Sequence, residues 1–226
     1  NKTGCFKSTA AVLMAKFNCY QFHCSMATLL TQLIELPFRY KPWRPAHIAI
    51  VLDDLTGLSK QPVQTDETHL KAAIAWLCRA QDQRQGQKDQ GGISAGWSFE
   101  DGWLPCYPET SGYIIETFVA AGTILNNPGL RDRAEQIIDW ELSIQNADGS
   151  FPGHFGETGS KPVIFNTGQI IHGMVAGYLS FNCDECLEAA VNAGKWMLSQ
   201  QDDDGCWRRS VHNDTPHTYN TRPYRQ

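Results

Sequence analysis

The chain has 226 residues, 42% of them hydrophobic and 19% charged, an ordinary balance for a globular domain. Its formal net charge of −5 leaves no electrostatic footprint for nucleic acid or an anionic membrane. No apolar run reaches the roughly 18–20 residues of a bilayer-spanning helix.

The stretch from Ala10 to Met14 is too short and too soon interrupted for a secretory leader. The chain starts without Met, as a processed, tagged or partial sequence would. Ser25–Leu36 and Pro45–Leu58 read as helices. With their poor repeat signature, residues 1–65 are expected to form an atypical or capping N-terminal segment ahead of an array over 66–226.

From there one helical phrase is written three times: Trp76…Gln81, Trp140…Gln145 and Trp196…Gln201, at intervals of 64 and 56 residues. Repeats at such a period point to stacked supersecondary units. Two copies run directly into an Asp-Gly turn, as Gln145…Asp148-Gly149…Phe151 and Gln201…Asp204-Gly205…Trp207. The first carries a longer insertion before Gly91-Gly92…Trp97…Phe99. Trp supplies packing area, and Gln suits bonds to neighbouring backbone, so the phrase reads as a frame rather than a catalytic centre.

A second element recurs out of phase. Ser111-Gly112-Tyr113-Ile114-Ile115 aligns with Thr167-Gly168-Gln169-Ile170-Ile171, again 56 residues on. Ser or Thr at its head is a good N-cap. The apolar residues that follow predict a buried inner helix, whereas the Trp-x₄-Gln segments keep charged residues on one face as outer helices do. A third inner helix is expected to begin near Thr221, which leaves the array truncated.

These residues resemble the QW motifs of squalene and oxidosqualene cyclases and their prenyltransferase relatives, over roughly residues 69–222. The resemblance implies an all-α, α/α-toroid fold, here an incomplete ring of inner and outer helix pairs with QW-like loops. More narrowly, Gly102-Trp103…Tyr107-Pro108-Glu109-Thr110-Ser111-Gly112-Tyr113 and Phe165-Asn166-Thr167-Gly168-Gln169 look like a bacterial squalene-cyclase-like group associated with polysaccharide and surface-glycan gene clusters. The fold says little about the reaction, because toroids host cyclases, prenyltransferases, polysaccharide lyases, glycoside hydrolases and epimerases.

A class II cyclase needs an Asp-rich acid. Asp53-Asp54 lacks the leading Asp, and Asp202-Asp203-Asp204 lies in a QW loop where a solvated role is the plainer one. A prenyltransferase zinc set would be Asp204, Cys206 and His217, but Asp-Gly-Cys here is the QW loop itself. No metal and no cofactor is therefore expected. The eight cysteines include one tight pair, Cys183-Asp184-Glu185-Cys186, a weak metal signal without a second half. Mostly free thiols in a reducing, cytoplasmic setting are expected.

Carbohydrate processing fits best. In a toroid the working face is lined by the loops entering the inner helices. Those loops offer flat aromatics for sugar faces and Arg for carboxylates, with Trp97, Trp103, Tyr113, Asn166, Gln169, Trp207, Arg208, Arg209 and His217 expected to bind substrate. Glu109 is the first candidate for acid or base, ahead of the helix whose positive end favours its ionised form; its plainer role is to order the loop. His154, Tyr107 and His172 follow as catalytic candidates, and a satisfied core histidine is an equally good reading of His172.

The expectation is a protein of bacterial surface-polysaccharide metabolism that acts on or binds an oligosaccharide or polysaccharide, anionic in character. A lyase, epimerase or glycoside hydrolase would use acid/base chemistry at such a site. A terpenoid cyclase or prenyltransferase-like enzyme is the first alternative, and a non-catalytic glycan-binding or scaffold module the second. The oligomeric state is left open.

Overall fold

The computed structural model describes residues 35, 37–57, 64–157 and 159–209. The chain divides into two compact units, Asn1–Lys60 and Gln61–Gln226. Within the first, helix α1 spans Pro45–Thr56, close to its expected bounds. Pro45 sits in its first turn, where the missing N–H costs nothing. Gly57 ends the helix in the left-handed region (φ 62°) and donates to the Asp53 carbonyl at 2.7 Å. The Ser25–Leu36 helix falls almost wholly outside the described residues.

The second unit is mostly helical. Its elements are α2 (Asp66–Asp82), β1 (Trp97–Ser98), β2 (Gly102–Trp103), α3 (Pro108–Ile124), α4 (Gly129–Ile144), α5 (Ile164–Phe181) and α6 (Asp184–Gln200). Short turns join α3 to α4 and α5 to α6, whereas long loops lead from α2 to α3 and from α4 to α5. Thr65 caps α2, its hydroxyl accepting from the Thr68 N–H at 3.3 Å.

Helices α3 and α5 pack side by side; α4 covers α3, and α6 covers α5. Two glycines set the spacing between α3 and α5. A Cβ on Gly112 would come within 2.8 Å of the Ile170 Cα, and one on Gly173 would strike the Gly112 carbonyl oxygen. Around this seam Ile115, Phe118, Ile137, Phe151, Ile170 and Met174 are fully buried. Each such large side chain contributes roughly 1.5–3 kcal/mol by the apolar area it removes from water.

The Trp-x₄-Gln phrases form the frame. Gln81 Nε2 donates to the carbonyls of Gly91 (2.9 Å) and Arg133 (3.1 Å), and Gln145 Nε2 to those of Gly149 (3.0 Å) and Ala189 (2.9 Å). Gln201 Nε2 repeats the first half of the pattern, to Gly205 at 2.9 Å. Each Gln thus closes its own turn, and in the first two copies it also reaches the next Trp-x₄-Gln helix. Trp140 and Trp196 are buried; Trp76 is 41% exposed and packs on Trp103, ring centroids 5.6 Å apart.

Two expectations need correction. Helices α3 and α5 start four residues early, at Pro108 and Ile164, so Ser111 and Thr167 lie one turn inside and do not cap. Their hydroxyls instead accept the loop N–H groups of Ile93 (2.9 Å) and Phe151 (3.3 Å). Neither helix is buried all round: α3 exposes Tyr113, Glu116, Thr117 and Ala120, and α5 exposes His172, Val175 and Leu179. The first long loop, the longer insertion of the first copy, folds into a two-stranded antiparallel hairpin that pairs Trp97 with Trp103 and Ser98 with Gly102.

Candidate functional site

The first long loop is held by an ion pair with little access to water. Arg84 grips Asp89 through Nε and Nη2 at 2.8–3.1 Å, with both side chains about 15% exposed. The Asp89 carboxylate also accepts the Cys106 N–H at 2.6 Å. Burial alone would raise the Asp89 pKa, but the guanidinium and this N–H outweigh it and hold it below the usual range. Burial, reinforced by the neighbouring Asp89 charge, pushes the Cys106 thiol far up and keeps it neutral.

From this anchor the chain runs out and back as a ribbon. Ala95 N–H donates to the Pro105 carbonyl and Leu104 N–H to that of Gly96, both at 2.9 Å; the Tyr107 N–H reaches Ile93 at 3.1 Å. Gly102 takes a left-handed φ of 78° at the turn, where the Asp101 N–H is bound by the Ser98 hydroxyl at 2.9 Å. The ribbon carries Trp97, packed edge-on to Phe99 at 5.1 Å, and Trp103. It ends on Tyr107, the N-cap of α3.

The second long loop comes over the same helix end. Phe155 meets Tyr107 edge-to-face, centroids 6.1 Å apart. Gly156 lies against Pro108, whose Cγ would be 3.1 Å from an added Cβ. Beside this contact is an open groove of about 610 Å³ whose lining includes Lys88, Pro105, Trp140, Phe155 and Glu157. His154 precedes Phe155 in the left-handed region (φ 49°), exposed to solvent. Tyr107, Glu109, His154 and Phe155 therefore gather near the start of α3.

Glu109 is half-buried in the first turn of α3. Tyr113, one turn later on the same face, is 39% exposed. Tyr113 directly follows Gly112, and His172 directly precedes Gly173, so these two side chains flank the closest approach of α3 and α5. His172 is exposed, which corrects its reading as a core histidine. Gln169 is half-buried one turn earlier on α5.

Other expected ligand-binding residues lie elsewhere. Asn166 is completely buried in the first turn of α5, and neither amide atom has a hydrogen-bond partner among the described residues, so it does not line an open surface. Trp207 is buried too, its indole N–H donating to the Met197 carbonyl at 2.8 Å; as the aromatic that follows the Asp204-Gly205 turn it belongs to the frame. Arg208 binds Asp202 at 2.9 Å and Asp204 at 2.6 Å. This pairing raises the Arg208 pKa and holds Asp204 down to about 2. Arg209 stays exposed with Asp202 at 3.7 Å. Asp202 and Asp204 are thus engaged by their own loop. His217 and the expected third inner helix lie outside the described residues.

Among the described residues, no group of three or more His, Cys, Asp or Glu is arranged to hold a metal ion. No described helix is long and apolar enough to cross a membrane. Cys78, Cys106 and Cys206 are free as expected, but Cys183 and Cys186 are joined by a disulfide.

Sequence reading missed three features here. The hairpin was signalled by Asp101-Gly102 between alternating aromatics. The Tyr107–Phe155 contact joins residues of different loops, which no local pattern reports. Glu141, fully buried with neither oxygen bonded among the described residues, was visible only by comparing copies. The residue after the repeated Trp is Leu77 in the first copy and Met197 in the third. Burial raises the Glu141 pKa well above the carboxylate range.

Comparison with models of known protein families, with curated proteins and with solved structures returns no match.

Proposed function

We propose that this chain is a carbohydrate-processing protein of the squalene-cyclase-like α/α-toroid type, working on an anionic glycan in the surface-polysaccharide metabolism of a bacterial cytoplasm. The observation that carries the reading is the convergence of the two long loops on the start of α3. There the Tyr107–Phe155 contact adjoins Glu109 and His154, beside a groove with Lys88 in its wall. Flat rings next to a cation and a carboxylate suit a sugar ring that bears an acidic group.

In this reading Glu109 acts as the acid or base, with Tyr107, His154 and His172 as further proton-transfer groups. Trp97, Trp103, Tyr113 and Gln169 make contacts along the chain of sugars, and Arg209 offers a cation at a more distant position. A lyase, an epimerase or a hydrolase is compatible with such a set, since each needs a positioned carboxylate or imidazole near the reacting carbon. A glycan-binding module without catalysis is the second reading, favoured by the openness of the groove and the exposure of both His154 and His172.

A thermal-stability screen of the full chain against uronic-acid-containing and neutral oligosaccharides tests the reading. A ligand at a hundred times its Kd adds about 2.7 kcal/mol of apparent stability. Stabilisation by uronate oligomers that weakens in Phe155→Ala supports the site. Absence of stabilisation by every glycan would remove it.

A further inference from the structure

We propose that Cys183 and Cys186 form a thiol–disulfide exchange site, with Cys183 as the sulfur attacked by an incoming thiol or dithiol. The proposal stands apart from the glycan reading, because the pair lies at the turn from α5 to α6, away from the long loops.

The two sulfurs are bonded and three residues apart in sequence. A link closing so short a loop removes little freedom from the unfolded chain, so it is a poor structural staple. The surrounding fold has its own buried core, and the remaining described cysteines are free. The unit is therefore not a disulfide-built scaffold. In a reducing compartment, bonds of this kind are transient and serve exchange or sensing.

The geometry separates the two sulfurs. Cys183 is half-exposed and is the N-cap of α6, its Sγ accepting the Cys186 N–H at 3.1 Å. Cys186 is completely buried, with Sγ 3.0 Å from where a Cβ on Gly177 would stand. A thiol arriving from solvent meets Cys183. Once released, the Cys183 thiolate keeps its N–H partner at the positive end of a 17-residue helix, which lowers a thiol pKa. The Glu185 carboxylate, 3.9 Å from the same sulfur, opposes this and favours the oxidised pair.

The exchange balances with a dithiol as reductant. One thiolate attacks Cys183 Sγ, forming a mixed disulfide as the Cys183–Cys186 bond breaks. Cys186 leaves as a thiolate and takes a proton from solvent. The second thiolate of the reductant then attacks its own linked sulfur, releasing a cyclic disulfide and the Cys183 thiolate. Two electrons pass from the dithiol to the protein. The N-cap sulfur is present in both states, so the change does not require α6 to unfold.

The test equilibrates the full chain in mixtures of reduced and oxidised dithiothreitol. Isotope-coded alkylation and peptide mass spectrometry then follow each cysteine, while circular dichroism reports the fold. The expected result is that Cys183 and Cys186 change state together with the helical signal intact. Cys183 in Cys186→Ser should react with an aromatic disulfide about tenfold or more faster than Cys186 in Cys183→Ser, following exposure and thiolate character. The wild-type mapping keeps the question answerable should either variant fail to fold. Reduction only in denaturant, equal rates at the two sulfurs, or a pair that stays reduced in every mixture would each overturn the proposal.

Discussion

Gln145 Nε2 lies 2.9 Å from the carbonyl oxygen of Ala189, a bond that ties the end of α4 to the middle of α6 across 44 residues of chain. Gln81 makes the matching bond to Arg133, and Arg133 returns one to Gln81 Oε1 at 2.9 Å. The frame is thus stitched by side-chain amides at equivalent positions. Replacing either Gln by Leu should destabilise the protein by about 1–3 kcal/mol, because buried carbonyls lose their donors. Gln201→Leu should cost less, since its amide is bound to Gly205 within its own turn. Urea unfolding of the three variants checks the order.

The glycine of each turn makes a second prediction. Gly149 has φ 89°, and a Cβ there would lie 2.6 Å from the Asn192 carbonyl oxygen; Gly91 stands in the same relation to Gln136. Gly159 has nearly the same φ, 88°, with nothing near its would-be Cβ. Gly159→Ala should cost only the conformational penalty of about 1–2 kcal/mol. Gly149→Ala adds a backbone collision and should cost more than about 3 kcal/mol. Melting temperatures of the two variants separate the effects.

Glu141 gives a pH signature. Its native carboxyl holds a proton more tightly than the unfolded chain does, because burial penalises the charge. The associated stability is complete below the ordinary Glu range and is lost as pH rises towards the raised native value. Glu141→Leu, which restores the residue type of the first copy, should remove this loss. The variant should gain most over wild type at neutral and alkaline pH, by an amount of order 1 kcal/mol or more. Paired denaturation curves from pH 4 to 8 measure it.

Asp89 has the opposite sign. Its native carboxyl is more acidic than in the unfolded chain, so its contribution is whole above the ordinary Asp range and drains away as pH falls through the lower native value. Asp89→Ala strands the Arg84 guanidinium and the Cys106 N–H, and should cost about 3–5 kcal/mol. The hairpin should loosen first, raising hydrogen exchange at Ala95 and Leu104.

Much of the helical plan is readable in the chain, because the Ser/Thr-Gly phrases and the last two Trp-x₄-Gln phrases recur at one 56-residue spacing and their packing partners recur with them. Gly91 and Gly149 repeat because equivalent carbonyls, those of Gln136 and Asn192, crowd them. Helix starts were less legible: Ser111 and Thr167 look like caps, but α3 begins at Pro108 and α5 at Ile164, which frees both hydroxyls to accept from the loops. The candidate site was legible by segment and not by side chain. Glu109 and Tyr107 belong to the gathering at the start of α3. Asn166 and Trp207 turn inward, and Arg208 is held by Asp202 and Asp204, because burial and loop ion pairs depend on tertiary neighbours that no local pattern records.

The most direct measurement of the central claim compares wild type and Glu109→Gln with a uronic-acid oligosaccharide that stabilises the protein. Binding is followed by calorimetry and turnover by product analysis. The account predicts binding within a few-fold of wild type, with turnover reduced about 10²–10⁴-fold by loss of the acid or base. Turnover unchanged by Glu109→Gln, or no uronate oligosaccharide bound by either protein, would contradict it.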